Sequence, residues 1–140
     1  MATHTDVARR NPQAFQGAMR HWTPLVRPLL MEMGTRHWGQ TTVPWRAWRI
    51  VSEDDCWELN NDYCWVENRR VTAYWTLHLA ADHTGKPHHF IGCGAHGPRS
   101  TPGLSEADLR ALLHELDGDG PALMEEDPFP SDLAGFSPDW

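Results

Sequence analysis

The spacing of hydrophobic positions changes along the chain, and each spacing predicts a different element. Between residues 12 and 33 the apolar positions lie three or four apart, which is typical of one helix face. Those positions are Phe15, Met19, Trp22, Val26, Leu29 and Met33. Pro24 and Pro28 interrupt this pattern, so we predict either one kinked helix or two helices divided near Thr23. Gly34 is expected to end it.

From Trp45 onwards apolar and polar residues alternate, which is typical of half-buried strands. The pattern predicts strands over 45–51, 57–65, 71–81 and 88–93. A polar turn follows the first of these at 52–55. Within the second strand, Asn60-Asn61-Asp62 predicts a bulge or a tight turn. Glu58 is expected on the polar side of that strand, near a pocket on the sheet.

A tight turn at 82–85 is predicted to join the third and fourth strands. The partners expected across that hairpin are Asp82 with Lys86, His78 with Phe90, and Trp75 with Cys93. In this register His78 and His88 share one face as diagonal neighbours, which makes them the candidate metal ligands. No third ligand stands at a recognised spacing, so we expect neither a metal nor another cofactor.

The stretch 92–97 contains a thiol and an imidazole, Cys93 and His96, among three glycines. A cysteine nucleophile needs a nearby base, but adjacency in sequence does not provide that geometry. The glycines are only loosely similar to a phosphate-binding loop, because Pro98 and Pro102 separate them from the next helix. Without a clear catalytic group, the sequence favours a protein that is not an enzyme.

A second helix is predicted after Ser105, whose side chain would cap it together with Asp108. Its buried face is predicted to consist of Leu109, Leu112, Leu113 and Leu116. Gly118 is expected to end it. We therefore divide the chain into a frayed start over 1–11, one domain over 12–117 and a tail over 118–140 that is acidic and contains prolines and aromatic residues.

The order of elements predicts an α+β domain in which helices flank an antiparallel sheet of three to five strands. The sheet is rich in tryptophan, of which the chain has eight. No apolar run is long enough to cross a membrane, and the first twenty residues lack the apolar segment of a secretory signal. Because Arg is abundant and Lys nearly absent, we expect a bacterial protein. Because no secretory signal is visible, we expect it in the cytoplasm.

Charge is distributed unevenly over the 140 residues, whose formal net charge is −7. Residues 1–50 carry +5, whereas residues 117–140 carry −7. Aromatic and basic residues alternate from Trp45 to Arg49, but the net charge argues against nucleic acid as the partner. An acidic tail with aromatic residues suits binding to a protein, or docking on the chain's own basic residues. The candidate partner-binding residues are Arg46, Arg49, Phe129, Phe136 and Trp140.

The leading functional hypothesis is a small acidic protein that binds another macromolecule, most simply a protein. In its order of elements alone, the chain is similar to bacterial immunity proteins and secretion chaperones, which implies binding or inhibition rather than catalysis. The alternative hypothesis is a small enzyme or ligand-binding domain with a pocket lined by Trp and His on one sheet face. The sequence does not predict the oligomeric state.

Overall fold

The computed structural model describes residues 12–39, 44–53, 56–67, 70–82, 84, 86–123, 135–138 and 140. For residues 12–16, 18, 19, 38, 50–53, 56 and 57 only the backbone is described. The elements in chain order are α1 (Pro12–Trp38), β1 (Trp45–Glu53), β2 (Cys56–Glu67), β3 (Arg70–Asp82), β4 (Pro87–Gly94), β5 (Gly97–Ser100), α2 (Glu106–Asp119) and β6 (Ala122–Leu123). The fold class is α+β, as predicted.

The sheet is antiparallel, and its strands lie in the order in which they follow one another along the chain, from β1 to β5. β6 pairs with Ala73 and Tyr74 of β3, beyond the part of β3 that β4 covers. The two longest strands, β2 and β3, form the centre and pair along almost their whole length. Side chains near the middle of these strands therefore have sheet neighbours on both sides.

The core lies between both described helices and one face of this sheet, which we call the core face. The helices contribute Trp22, Val26, Leu30, Met33, Leu109, Leu112, Leu113 and Leu116. On the sheet the core residues alternate, and they include Leu59, Tyr63, Trp65, Ala73, Trp75, Leu77, Leu79, Ala81 and Phe90. The intervening residues point to the opposite side, the open face. The buried alternation from Val71 to Ala81 was predicted and is confirmed.

The N-terminal helix is longer than predicted and is not divided. α1 runs through Pro24, Pro28 and Gly34 as one helix, and the positive φ of 73° at Gly39 follows its end. Both prolines are exposed, so the carbonyl groups that lose a helical hydrogen bond face water. The fully buried position is Leu30 rather than Leu29, which is half-buried. No helix within the described ranges is long and apolar enough to cross a membrane.

The predicted interruption at Asn60-Asn61-Asp62 is wrong, because these residues lie in the interior of β2. Each has a strand partner in β1 and another in β3. Asn and Asp by themselves favour a turn. Here the two neighbouring strands provide hydrogen-bonding partners for the backbone and keep it extended. The irregularity in β2 lies instead between Trp65 and Val66.

The predicted hairpin register is correct next to the turn and wrong beyond it. Asp82 N donates to Lys86 O at 3.0 Å, as the prediction requires. A bulge between Ala80 and Ala81 then shifts the register by one residue. As a result Cys93 lies opposite Thr76 rather than Trp75. On the core face Leu79 lies opposite Phe90, and on the open face His78 lies opposite Ile91.

The start of α2 confirms the predicted capping box. Asp108 N donates to the Ser105 side chain at 3.0 Å, and Ser105 N donates to the Asp108 carboxylate at 3.2 Å. The end of the helix differs from the prediction by two residues. Gly118 lies within α2, and the cap is Gly120, whose φ of 75° suits glycine and whose N–H donates to Leu116 O.

Candidate partner-binding surface

Five polar side chains gather at the centre of the open face. Arg49, Asn60 and His78 are opposite one another on β1, β2 and β3 and form one row across the strands. Glu58 and Asp62 stand two residues before and after Asn60 on β2, and they therefore lie on the same face. We call this group the open-face cluster.

The ionic contacts in the open-face cluster are long. The two ring nitrogens of His78 face two different carboxylates, with Nδ1 3.7 Å from Glu58 Oε2 and Nε2 3.5 Å from Asp62 Oδ1. Arg49 Nε lies 3.8 Å from Asp62 Oδ2, and the Arg49 side chain is 68% exposed. Well-formed hydrogen bonds to a carboxylate are about 2.7–2.9 Å long. The two carboxylates thus have only weak partners here.

Asn60, in the middle of the cluster, is 95% buried, with a residue exposure of 5%. Its Oδ1 atom is inaccessible to solvent and accepts no hydrogen bond from any described group. Buried carbonyl oxygens in proteins nearly always accept a hydrogen bond. The open-face cluster therefore contains an unused buried acceptor between two weakly held carboxylates.

A second charged group, which joins α2 to β5, differs in having one closely paired arginine and aspartate. Arg99 Nε and Nη2 donate to the two oxygens of Asp119 at 2.7 and 2.8 Å, and Glu115 lies 3.6 Å from Arg99. His96 Nδ1 is 3.5 Å from Asp119, whose side chain is only 6% exposed. The hydrogen bond from Arg99 lowers the pKa of Asp119. We call these four residues the α2–β5 network.

The α2–β5 network includes His96 and affects the pKa of Cys93, the imidazole and thiol of the 92–97 stretch. His96 contacts Asp119, and burial together with the nearby Asp119 charge raises the pKa of the Cys93 thiol. A raised pKa leaves less thiolate, which is the reactive form. The surroundings of Cys93 thus favour a thiol that is not activated.

The glycines of this stretch provide room for α2. A Cβ atom on Gly92 would lie 2.4 Å from Leu116 Cδ1, and one on Gly94 would lie 2.5 Å from the carbonyl oxygen of Gly120. Both glycines belong to β4 and do not precede a helix as a phosphate-binding loop would. They allow close packing of helix on strand.

The prediction that His88 is the diagonal neighbour of His78 is wrong, because the bulge places His89 in that position on the open face. His88 is an exposed residue at the bulge, with Nε2 3.6 Å from Asp82 Oδ2. Within the described part of the chain, no three His, Cys, Asp or Glu side chains are arranged to hold one metal ion.

The last described residues lie against β1 and α1. Ser137 and Arg46 exchange two backbone hydrogen bonds of 2.8 Å. The Trp140 indole donates to Pro44 O at 2.7 Å, and its ring centre is 5.0 Å from that of Tyr63. Arg27 donates to Trp140 O at 2.8 Å. The end of the tail thus docks on the basic N-terminal half, which is one of the two outcomes expected from its charge.

The other predicted partner-binding residues are dispersed. The Arg46 guanidinium lies 5.3 Å from the Trp140 ring, and burial lowers its pKa. Arg49 belongs to the open-face cluster, Phe136 is half-buried in the tail, and Phe129 lies outside the described residues. In addition, Trp48 on the edge strand is 55% exposed.

Sequence reasoning missed Asn60 and Asp62, which it assigned to a turn. A usable signal was present in the numbering, because Glu58, Asn60 and Asp62 have the same parity and stay on one face of an unbroken strand. Nothing in the sequence indicated that His78 would lie opposite them, since this depends on the β2–β3 register.

A cavity of about 230 Å³ opens between the two helices, on the side away from the open face. Its apolar walls include Leu25, Leu29 and Leu113, and Arg110, His114 and Asp117 also line it.

Comparison with protein-family models, with curated proteins and with solved structures finds no match to this chain.

Proposed function

We propose that this protein acts by binding a partner protein through the open face of its sheet. The observation that carries the proposal is the open-face cluster, in which the ion pairs of the half-buried carboxylates with other described residues are all 3.5 Å or longer. Buried charged groups that serve folding alone are normally paired more closely, as Arg99 and Asp119 of the α2–β5 network are. Long contacts leave the carboxylates ready to bind groups from another molecule.

The rest of the open face adds apolar contact area. Trp45, Tyr74 and Ile91 lie on the same face and are half-buried. Aromatic side chains beside a few charged groups are typical of protein interfaces. The formal net charge of −7 favours a partner with a basic surface, because opposite charges steer the encounter.

The alternative of a pocket that uses His78 and His88 gains no support from their placement. His88 stands at the bulge, away from the row that contains His78. The partner-protein proposal depends on neither His88 nor a deep cavity, because a sheet face binds over its surface.

Site-specific photo-crosslinking tests this proposal in cells that produce the full chain. A photoreactive phenylalanine analogue at Tyr74 places the probe on the open face, and the same analogue at the exposed His114 on α2 is the matched control. We expect a discrete crosslinked species from position 74 that disappears when Glu58→Gln and Asp62→Asn are added. Crosslinks that survive this double change, or that form equally from position 114, would refute the proposal.

A further inference from the structure

β2 presents to the open face three oxygen-bearing side chains of the kind that bind a cation. Glu58, Asn60 and Asp62 follow one another at two-residue steps, each about 6.5–7 Å along the strand. Their side chains offer two carboxylates with an amide oxygen between them. Side-chain exposures of 35% for Glu58 and 19% for Asp62 leave both carboxylates within reach of a ligand.

The cations already present use this set of acceptors poorly. Arg49 is the permanent cation that the described residues place beside this set, yet it approaches Asp62 only to 3.8 Å and leaves its side chain largely in solvent. His78 stands between the two carboxylates without a hydrogen bond shorter than 3.5 Å to either. A ligand with better-placed N–H groups can therefore gain contacts that the protein does not make with itself.

The unpaired Oδ1 of Asn60 is the independent sign that a donor belongs here. Its cross-strand neighbours are Arg49 and His78, and no described group donates to it. Because the Arg49 side chain is 68% exposed, it can move aside for an incoming N–H group. The ligand would then complete a hydrogen bond that is missing in the free protein.

The shape of the acceptor set selects among cations. A single metal ion is disfavoured, because no three ligating side chains of the described residues converge on one point. An ammonium group directs its three donors from one atom. A guanidinium spreads five N–H donors over a planar fork and bridges separated acceptors. The set of two carboxylates and one amide oxygen therefore matches a guanidinium.

We propose that the open-face cluster binds the guanidinium of an arginine side chain presented by the partner. This inference rests on the proposed function, since it names the group that docks at the centre of the same face. Glu58 and Asp62 would bind the N–H groups in place of Arg49, and Asn60 Oδ1 would accept one of them. His78 would border the site.

The test is a titration of the ¹⁵N-labelled full chain with the peptide acetyl-Gly-Arg-Gly-amide, followed by NMR. We expect saturable shifts of the Asn60, Asp62 and His78 amides, and at least tenfold weaker binding of the matched Lys peptide. Asp62→Asn should weaken binding of the arginine peptide at least tenfold, whereas Glu32→Gln on the exposed side of α1 should not change it. Arg49→Ala should strengthen it, because the competing cation is removed.

Equal affinity for the Arg and Lys peptides would overturn the inference, since it would indicate charge attraction alone. Unchanged or tighter binding of the peptide to Asp62→Asn, compared with the wild type, would overturn it as well. Either result leaves the crosslinking experiment at position 74 to decide the proposed function separately. If crosslinking fails while the arginine peptide binds as expected, the cation site stands and the protein-binding proposal fails.

Discussion

The α2–β5 network and the open-face cluster contain the same kinds of residue but differ in how closely they are paired. In the network Arg99 makes a double hydrogen bond of 2.7 and 2.8 Å to Asp119. In the cluster Arg49 and Asp62 are 3.8 Å apart. The comparison separates charges that hold two elements together from charges that the fold leaves available to a ligand.

The difference has a physical cause in where each carboxylate sits. Asp119 is the last residue of α2, where the helix dipole disfavours a negative charge, and its side chain is almost buried. A charge in that position needs a close cation, which Arg99 provides. Asp62 lies in the interior of β2 rather than at a helix end, and its side chain is 19% exposed, so water reaches it.

The largest expected effect comes from removing the cation of the network. Arg99→Met should lower the Tm by several degrees, because Asp119 is left unpaired at the end of the helix. Thermal unfolding followed by circular dichroism measures this. The control is Arg110→Met, which removes an exposed i,i+4 pair with Glu106 and should cost about 0.5 kcal/mol or less. Equal losses in the two variants would mean that the network is no more important than a surface pair.

A smaller, pH-dependent effect follows from the lowered pKa of Asp119. A carboxyl group with a lowered pKa stabilises the fold above its unfolded pKa, here about 3.8, and this contribution is lost as the pH falls through the folded value. The Tm difference between the wild type and Asp119→Asn should therefore be greatest near pH 7 and shrink below about pH 4. Asp82, whose pKa is also lowered, is present in both proteins and cancels. A Tm difference that stays constant from pH 7 to below about pH 4 would contradict the lowered pKa of Asp119.

The smallest expected effect is the change in folding stability when the charges of the open-face cluster are removed. The double variant Glu58→Gln and Asp62→Asn keeps the side-chain shapes and removes only weakly paired charges. Its free energy of unfolding in urea should stay within about 1 kcal/mol of the wild type. A loss as large as that of Arg99→Met would show that the cluster holds the sheet together, and the contrast between the two groups would fail.

Much of the fold was predictable because local signals and tertiary packing agree. The Ser105 capping box fixes the start of α2, and the alternation over 71–81 fixes the buried face of β3. Local signals failed where packing overrides them. Pro24 is tolerated inside α1 because it faces water, and the helix continues past Gly34, which packs inside the protein.

The candidate site was less predictable for a related reason. Asn60-Asn61-Asp62 favours a turn in isolation, and only pairing with strands on both sides keeps it extended. Once it is extended, the parity of the residues places Asn60 and Asp62 together on the open face. The one-residue shift beyond the bulge then decides that His89, not His88, is the diagonal neighbour of His78 on this face.

Gly92 and Gly94 of β4, which both pack closely against the end of α2, differ in whether a substitution can be accommodated. At Gly92 a new side chain would meet the movable end of Leu116, so a smaller residue at position 116 can compensate for it. At Gly94 it would meet the backbone carbonyl of Gly120, which also accepts a hydrogen bond from Ala95 N. No side-chain replacement removes a carbonyl group. Position 92 can therefore diverge as one half of a coupled pair, whereas position 94 is confined to glycine as long as α2 ends where it does.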